Sequence, residues 1–87
     1  MNVTAVESST LATIAYDRTR RLLQLEFSSR AVYQYFGVPA SVHKDLLRAP
    51  SKGSYFNGAI RGRFPFRRIS HSQAEGLRQE IAKARQR

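Results

Sequence analysis

Three stretches of the chain carry hydrophobic and polar residues in strand-like order. "LATIAYD" (residues 11–17) mixes β-branched, aromatic and apolar residues and runs into the polar "DRTR", which predicts a strand followed by a turn. In "RLLQLEF", Leu23, Leu25 and Phe27 alternate with Gln24 and Glu26, the period-two pattern of a strand with one wet face. "SSR" then turns the chain into "AVYQYF", a third strand, so two hairpins give an antiparallel meander. In that strand Tyr33 and Tyr35 share one face, and Val32, Gln34 and Phe36 share the other.

After Gly37 the period lengthens. In "VPASVHKDLLRAPS", Pro39 is placed to open a helix at its first position, Val42, Leu46 and Leu47 recur at helical spacing, and Pro50 marks the end. "SKGSYFNGAIRGRFPF" contains three glycines and Pro65 and predicts an irregular or short helical segment anchored by Tyr55, Phe56 and Ile60. In "SQAEGLRQEIAKARQR", Ser72 and Glu75 have capping-box spacing, and Ala74, Leu77, Ile81 and Ala84 form a narrow apolar stripe, so a last helix is predicted with its docking open. The expected fold class is α+β: a three-stranded antiparallel meander packed against one or two short helices, plus a C-terminal helix. The expected boundaries are a domain over residues 8–69 and a basic helical extension over 70–87.

Charge changes the picture more than length does. Fifteen Lys and Arg stand against six Asp and Glu, a formal net charge of +9, and the sequence pI is about 11.1. That excess is beyond what solubility asks of a small domain and points to an anionic partner. It is also uneven: eight basic and two acidic residues lie from Arg61 onward, against seven and four before it. With 87 residues and no cysteine, the chain has room for one thin core and offers neither a disulfide nor a thiolate metal site. The N-terminus has no basic leader, and no apolar run approaches the ~20 residues needed to cross a bilayer. These features predict a cytoplasmic protein that does not enter membranes.

Candidate chemistry falls in three places. Tyr33 and Tyr35 either line the edge of the core with their hydroxyls reaching outward, or leave at least one ring open to stack on an unpaired base. Ser51, Lys52, Gly53 and Ser54 stand where a helical turn could begin, so free N–H groups and a lysine could converge on a phosphate, while Asn57 could pin that turn or present its amide to a ligand. The spacing is not that of a Walker A loop, so nucleotide hydrolysis is not expected. In "IRGRFPFRR", Arg61, Arg63, Arg67 and Arg68 interleave with Phe64 and Phe66, the combination that tracks a phosphate backbone; both phenylalanines are expected to be buried and the arginines functional. Catalysis finds little support, because His43 and His71 are the only histidines and Asp45, two positions from His43, points away from it.

The Tyr-x-Tyr with its following Val-Pro (Tyr33, Tyr35, Val38, Pro39) and the "SKGSYFN..IRGR" block (Ser51 to Asn57, Ile60 to Arg63) together resemble the KTSC family over about Ser8 to Ile69. These small domains are named for their occurrence at the C-terminus of some lysyl-tRNA synthetases and are also found alone in bacteria. The resemblance implies a compact module without established chemistry and a suspected role in RNA binding. The sequence departs from the family pattern at Arg30, where glycine is common in the turn before the tyrosine strand, and at Phe64 and Phe66, where tyrosines are frequent. A left-handed turn is costlier for Arg than for Gly, so the second hairpin is expected to differ.

The resulting expectation is a non-catalytic nucleic-acid-binding module without metal or cofactor, its expected partner RNA or another nucleic acid. Its candidate contacts are Tyr33, Tyr35, Lys52, Gly53, Tyr55, Asn57, Arg61, Arg63, Arg67 and Arg68. The alternative is a protein-interaction module docking on an acidic partner, since Tyr and Arg are enriched at interface hot spots too. An amphipathic C-terminal helix on anionic lipid is disfavoured, as Leu77 and Ile81 offer little apolar surface.

Overall fold

The computed structural model describes residues 2–6 and 8–76. In chain order the elements are β1 (Asn2–Ala5), β2 (Leu11–Asp17), β3 (Leu22–Phe27), β4 (Val32–Phe36), α1 (Ala40–Arg48), α2 (Lys52–Ala59) and β5 (Phe66–Ile69). The strands form one sheet in the order β1-β2-β3-β4-β5, every neighbouring pair antiparallel. The predicted meander is its centre, and the fold is α+β. Two short edge strands, one on each side, enlarge the expected three-stranded sheet. Neither has a strong pattern of its own; β5 exists because β4 offers it a free row of backbone groups after the two helices return the chain to the sheet.

Two arginines turn the hairpins. Between β2 and β3, Asp17 Oδ1 accepts the Arg20 N–H at 3.2 Å and Arg21 takes φ +54°. Between β3 and β4, Arg30 N–H donates to the Phe27 carbonyl at 2.8 Å and Phe27 N–H to the Ala31 carbonyl at 2.9 Å, with Arg30 at φ +77°. This is the tight turn closed by a left-handed residue, a place glycine fills without strain. Arg30 therefore adopts the glycine conformation instead of forcing a different hairpin.

Pro39 is the residue before α1, extended at ψ 153°, so the helix begins one position later than expected. It ends where Ala49, restricted by Pro50, becomes extended. The "SKGSYFNGA" stretch is a true helix, α2, capped by Ser51, whose Oγ accepts the Ser54 N–H at 3.3 Å. Both helices cover one face of the sheet. Leu11, Ile14, Tyr16, Leu23, Leu25 and Tyr35 from the strands meet Val38, Leu46, Phe56 and Ile60 there in a single apolar core. The Tyr16 hydroxyl ends in this core on the Val38 carbonyl at 2.6 Å.

The reverse face corrects the reading of β3 as a strand with one wet side. Gln24 is only 1% exposed and Gln34 4%. Gln34 Nε2 donates to Gln24 Oε1 at 3.0 Å, and Gln24 Nε2 donates to the Ala74 carbonyl at 3.3 Å. Residues 71–76 are helical, and Ala74 is buried there with Val32 and Ile69. The capping box of this segment is not Ser72 with Glu75 but Ser70 with Gln73. Gln73 N–H donates to Ser70 Oγ at 3.3 Å while Ser70 N–H donates to Gln73 Oε1 at 2.9 Å. The chain leaves β5 at Ile69, so the first serine beyond the strand starts the helix. Leu77, Ile81, Ala84 and the basic tail lie outside the described residues. Among the described residues no helix is long and apolar enough to cross a membrane.

Candidate nucleic-acid interface

Where β4 and β5 run past the end of α2, the core face stays open. The sequence builds this opening in a few steps. Ile60 and Arg61 both donate their N–H to the Phe56 carbonyl, at 3.0 and 2.9 Å, which closes α2. Gly62 then turns the chain at φ +75°, a conformation that favours glycine. Arg63 Nε donates back to the Gly58 carbonyl at 3.0 Å and fixes the loop. Phe64 packs half-buried against the core, and the Pro65 carbonyl accepts the Phe36 N–H at 2.9 Å as β5 begins.

The result is a groove of about 840 Å³ whose lining includes Phe27, Tyr33, Tyr35, Phe56 and Phe66, together with Arg61, Gly62, Ser28 and Ser29. Tyr33 stands edge-on to Phe27 at 5.7 Å between ring centres and lies 5.8 Å from Phe66. Tyr35 lies 5.7 Å from both Phe56 and Phe66. The two tyrosines have different stations. Tyr35, 5% exposed, belongs to the core and forms the groove floor, while Tyr33 is half-buried along the wall. Burial, reinforced by Tyr33, pushes the Tyr35 hydroxyl up to about 12 against the opposing pull of Arg61. The core-edge alternative holds for Tyr35, whereas Tyr33 is half-buried with its ring against Phe27, Tyr35 and Phe66.

Phe66 departs from the expected burial: it is 57% exposed and offers an open ring at the rim. Its register opposite Tyr35 on the edge strand places it on the core face beyond the helices, a consequence of strand pairing that "FPF" does not encode. Phe27, Phe56, Ser28 and Ser29 were likewise not anticipated as lining. The serines carry no signal beyond that of a turn.

The basic candidates separate. Arg61 lines the groove, and Arg68, opposite Tyr33, is exposed on the same face. Arg67 is on the reverse face, where its Nε donates to Gln34 Oε1 at 3.0 Å and its guanidinium lies 5.8 Å from the Phe36 ring centre. Arg63 is committed to the Gly58 carbonyl. Lys52 donates its Nζ to the Ala49 carbonyl at 3.0 Å, completing the end of α1. Gly53 packs against Thr10, so closely that a Cβ would come within 2.5 Å of Thr10 Oγ1. Asn57 is exposed on α2. Tyr55 lies in a separate depression with Asp45, Arg48 and Ser54, and burial raises its hydroxyl above the usual value, with Asp45 adding to the effect. The turn expected to offer free N–H groups to a phosphate is capped by its own Ser51. The two histidines are far from one another in role: His43 is buried and stacked on Tyr16 at 4.6 Å, and His71 Nε2 donates to the Arg30 carbonyl at 2.8 Å.

Comparison with known proteins places this geometry. The chain is 45% identical over 64 residues to a lysine–tRNA ligase of Nostoc punctiforme, a match covering 74% of the chain and 11% of the ligase. The chain therefore corresponds to a small part of that enzyme. A protein of Tsukamurella paurometabola is 42% identical over 59 residues, covering 68% of this chain and 88% of its own length. The crystal structure of a KTSC domain protein from Yersinia pestis superposes with a TM-score of 0.77 at 39% identity, covering 79% of this chain and 97% of that one. The family model for the KTSC domain matches residues 7–64, and the chain belongs to that family.

Proposed function

We propose that the chain is a non-catalytic, cytoplasmic module that binds single-stranded RNA in the aromatic groove. The observation that carries this reading is the open Phe66 ring beside half-buried Tyr33, with Arg61 at the groove wall and Arg68 on the same face. An exposed aromatic surface next to cations suits an unpaired strand, whose bases have π-faces and whose backbone is anionic; duplexes keep those faces stacked. The net charge of +9 adds long-range attraction. A relative named as a tRNA ligase is consistent with an RNA partner. Tyr35 acts as the floor that holds the other rings in place.

The test is a fluorescence titration of short single-stranded RNA, duplex RNA and single-stranded DNA at two salt concentrations, with Phe66→Ala and Arg61→Ala confirmed folded. Single-stranded RNA should bind in preference to duplex, weaken steeply with salt and lose about 1–3 kcal/mol with Phe66→Ala. Absence of binding near physiological salt would overturn the reading. A partner captured by the chain that survives nuclease treatment and is lost with Phe66→Ala would instead make the groove a protein-docking site.

A further inference from the structure

Arg30 holds a conformation that glycine would occupy without strain, at φ +77° in the turn between β3 and β4. Its backbone is fixed on both sides: the N–H donates to the Phe27 carbonyl at 2.8 Å, and the carbonyl accepts from His71 Nε2 at 2.8 Å. Its neighbours Ser28, Ser29 and Ala31 all line the groove. The side chain is exposed, and no hydrogen bond or ion pair from its guanidinium to a described residue is present. The left-handed backbone does not call for this side chain, which leaves the guanidinium available to a partner outside the turn.

The register shows where such a partner would lie. Along β4 and β5, Phe66 stands opposite Tyr35 and Arg68 opposite Tyr33, and the Arg30 turn follows just beyond Val32. Arg61 lines the groove and acts on Tyr35, while Arg30, itself outside the lining, stands in the turn beyond Val32 at the other end of β4, with Arg68 opposite Tyr33 on the sheet edge. We propose that Arg30 is a phosphate-binding residue at the serine end of the groove, so that a bound strand is held by cations at both ends while its bases meet Tyr33 and Phe66. This assignment rests on the RNA reading above and extends it, because it sets the path of the strand along β4 and β5.

The position permits an unusually clean experiment, since removing the side chain also relieves the turn. The full chain is compared with Arg30→Gly and Arg30→Lys by thermal unfolding and by titration with a short fluorescein-labelled single-stranded RNA over a range of salt. Arg30→Gly should melt no lower than the parent, yet bind severalfold more weakly, with a salt slope shallower by about 0.7 for the lost contact. Arg30→Lys should retain the slope. If Arg30→Gly binds with unchanged affinity and slope, Arg30 is only a turn residue and the proposal fails while the RNA reading stands. If the parent chain itself does not bind, the RNA reading fails and this role falls with it.

Discussion

On the face beneath α1 and α2, Leu11, Ile14, Leu23 and Leu25 leave water by apolar contact alone; on the reverse face, Gln24 and Gln34 reach the same depth through paired amides. The first solution is non-directional, so the helices are held by the amount of surface buried. The second is directional. The amide pair accepts Arg67 at one end and ends on the Ala74 carbonyl at the other, which fixes where residues 71–76 can sit. A single sheet thus has one face closed by shape and one closed by hydrogen-bond geometry. The first is left open at the groove.

The largest effect should come from the apolar face. Leu25→Ala removes a fully buried side chain between Ile14 and Tyr33 in the ladder and should cost about 2–5 kcal/mol, measured by urea unfolding. In a domain this small, that approaches the whole stability. On the reverse face, Gln24→Ala leaves the Gln34 amide and the Ala74 carbonyl without their partner and should cost about 1–3 kcal/mol. The double change Gln24→Leu with Gln34→Leu should cost less than the two single changes together. Additive losses in that cycle would mean the pair is not a coupled unit.

At the groove, Phe66→Ala should alter stability by less than about 1 kcal/mol because the ring is mostly exposed, while weakening RNA as described above. A large stability loss would make Phe66 a core residue after all. The smallest effect is one of pH. Burial holds the His43 imidazole below its usual 6.5, and its Nε2 has no hydrogen-bond partner among the described residues. The folded chain therefore binds fewer protons than the unfolded chain, and stability should decline as the pH falls through about 6.5 toward the lower folded value. His43→Phe, which keeps a ring against Tyr16, should remove that dependence in melting curves recorded across the range.

Several features were legible because they depend on neighbours in sequence. The alternation of Leu23, Leu25 and Phe27 marks β3 and its core face, and Pro39 and Pro50 bracket α1 to within a residue. Misreadings came where two local patterns are equivalent. Ser70-His71-Ser72-Gln73 and Ser72-Gln73-Ala74-Glu75 both satisfy a capping box, and only the exit point of β5 selects between them. Of the candidate site residues, Tyr33, Tyr35 and Arg61 converge at the groove and Arg68 shares its face. Lys52 and Arg63 are engaged elsewhere, since a cation near the end of a helix finds carbonyls as readily as phosphates, and Arg67 is held on the reverse face of β5 by the Gln34 amide.

The sequence by itself determined the central meander, the first helix after it, the placement of Arg30 in a turn and the strongly positive field, because each follows from local sterics, periodicity or charge. Tertiary structure alone decided that "FRRI" pairs with β4, that Gln24 and Gln34 are buried, and that Phe66 is open while Tyr35 is closed. Those outcomes depend on which strand has a free edge and which helix covers which ring. A residue's own side chain and its near neighbours do not contain that information.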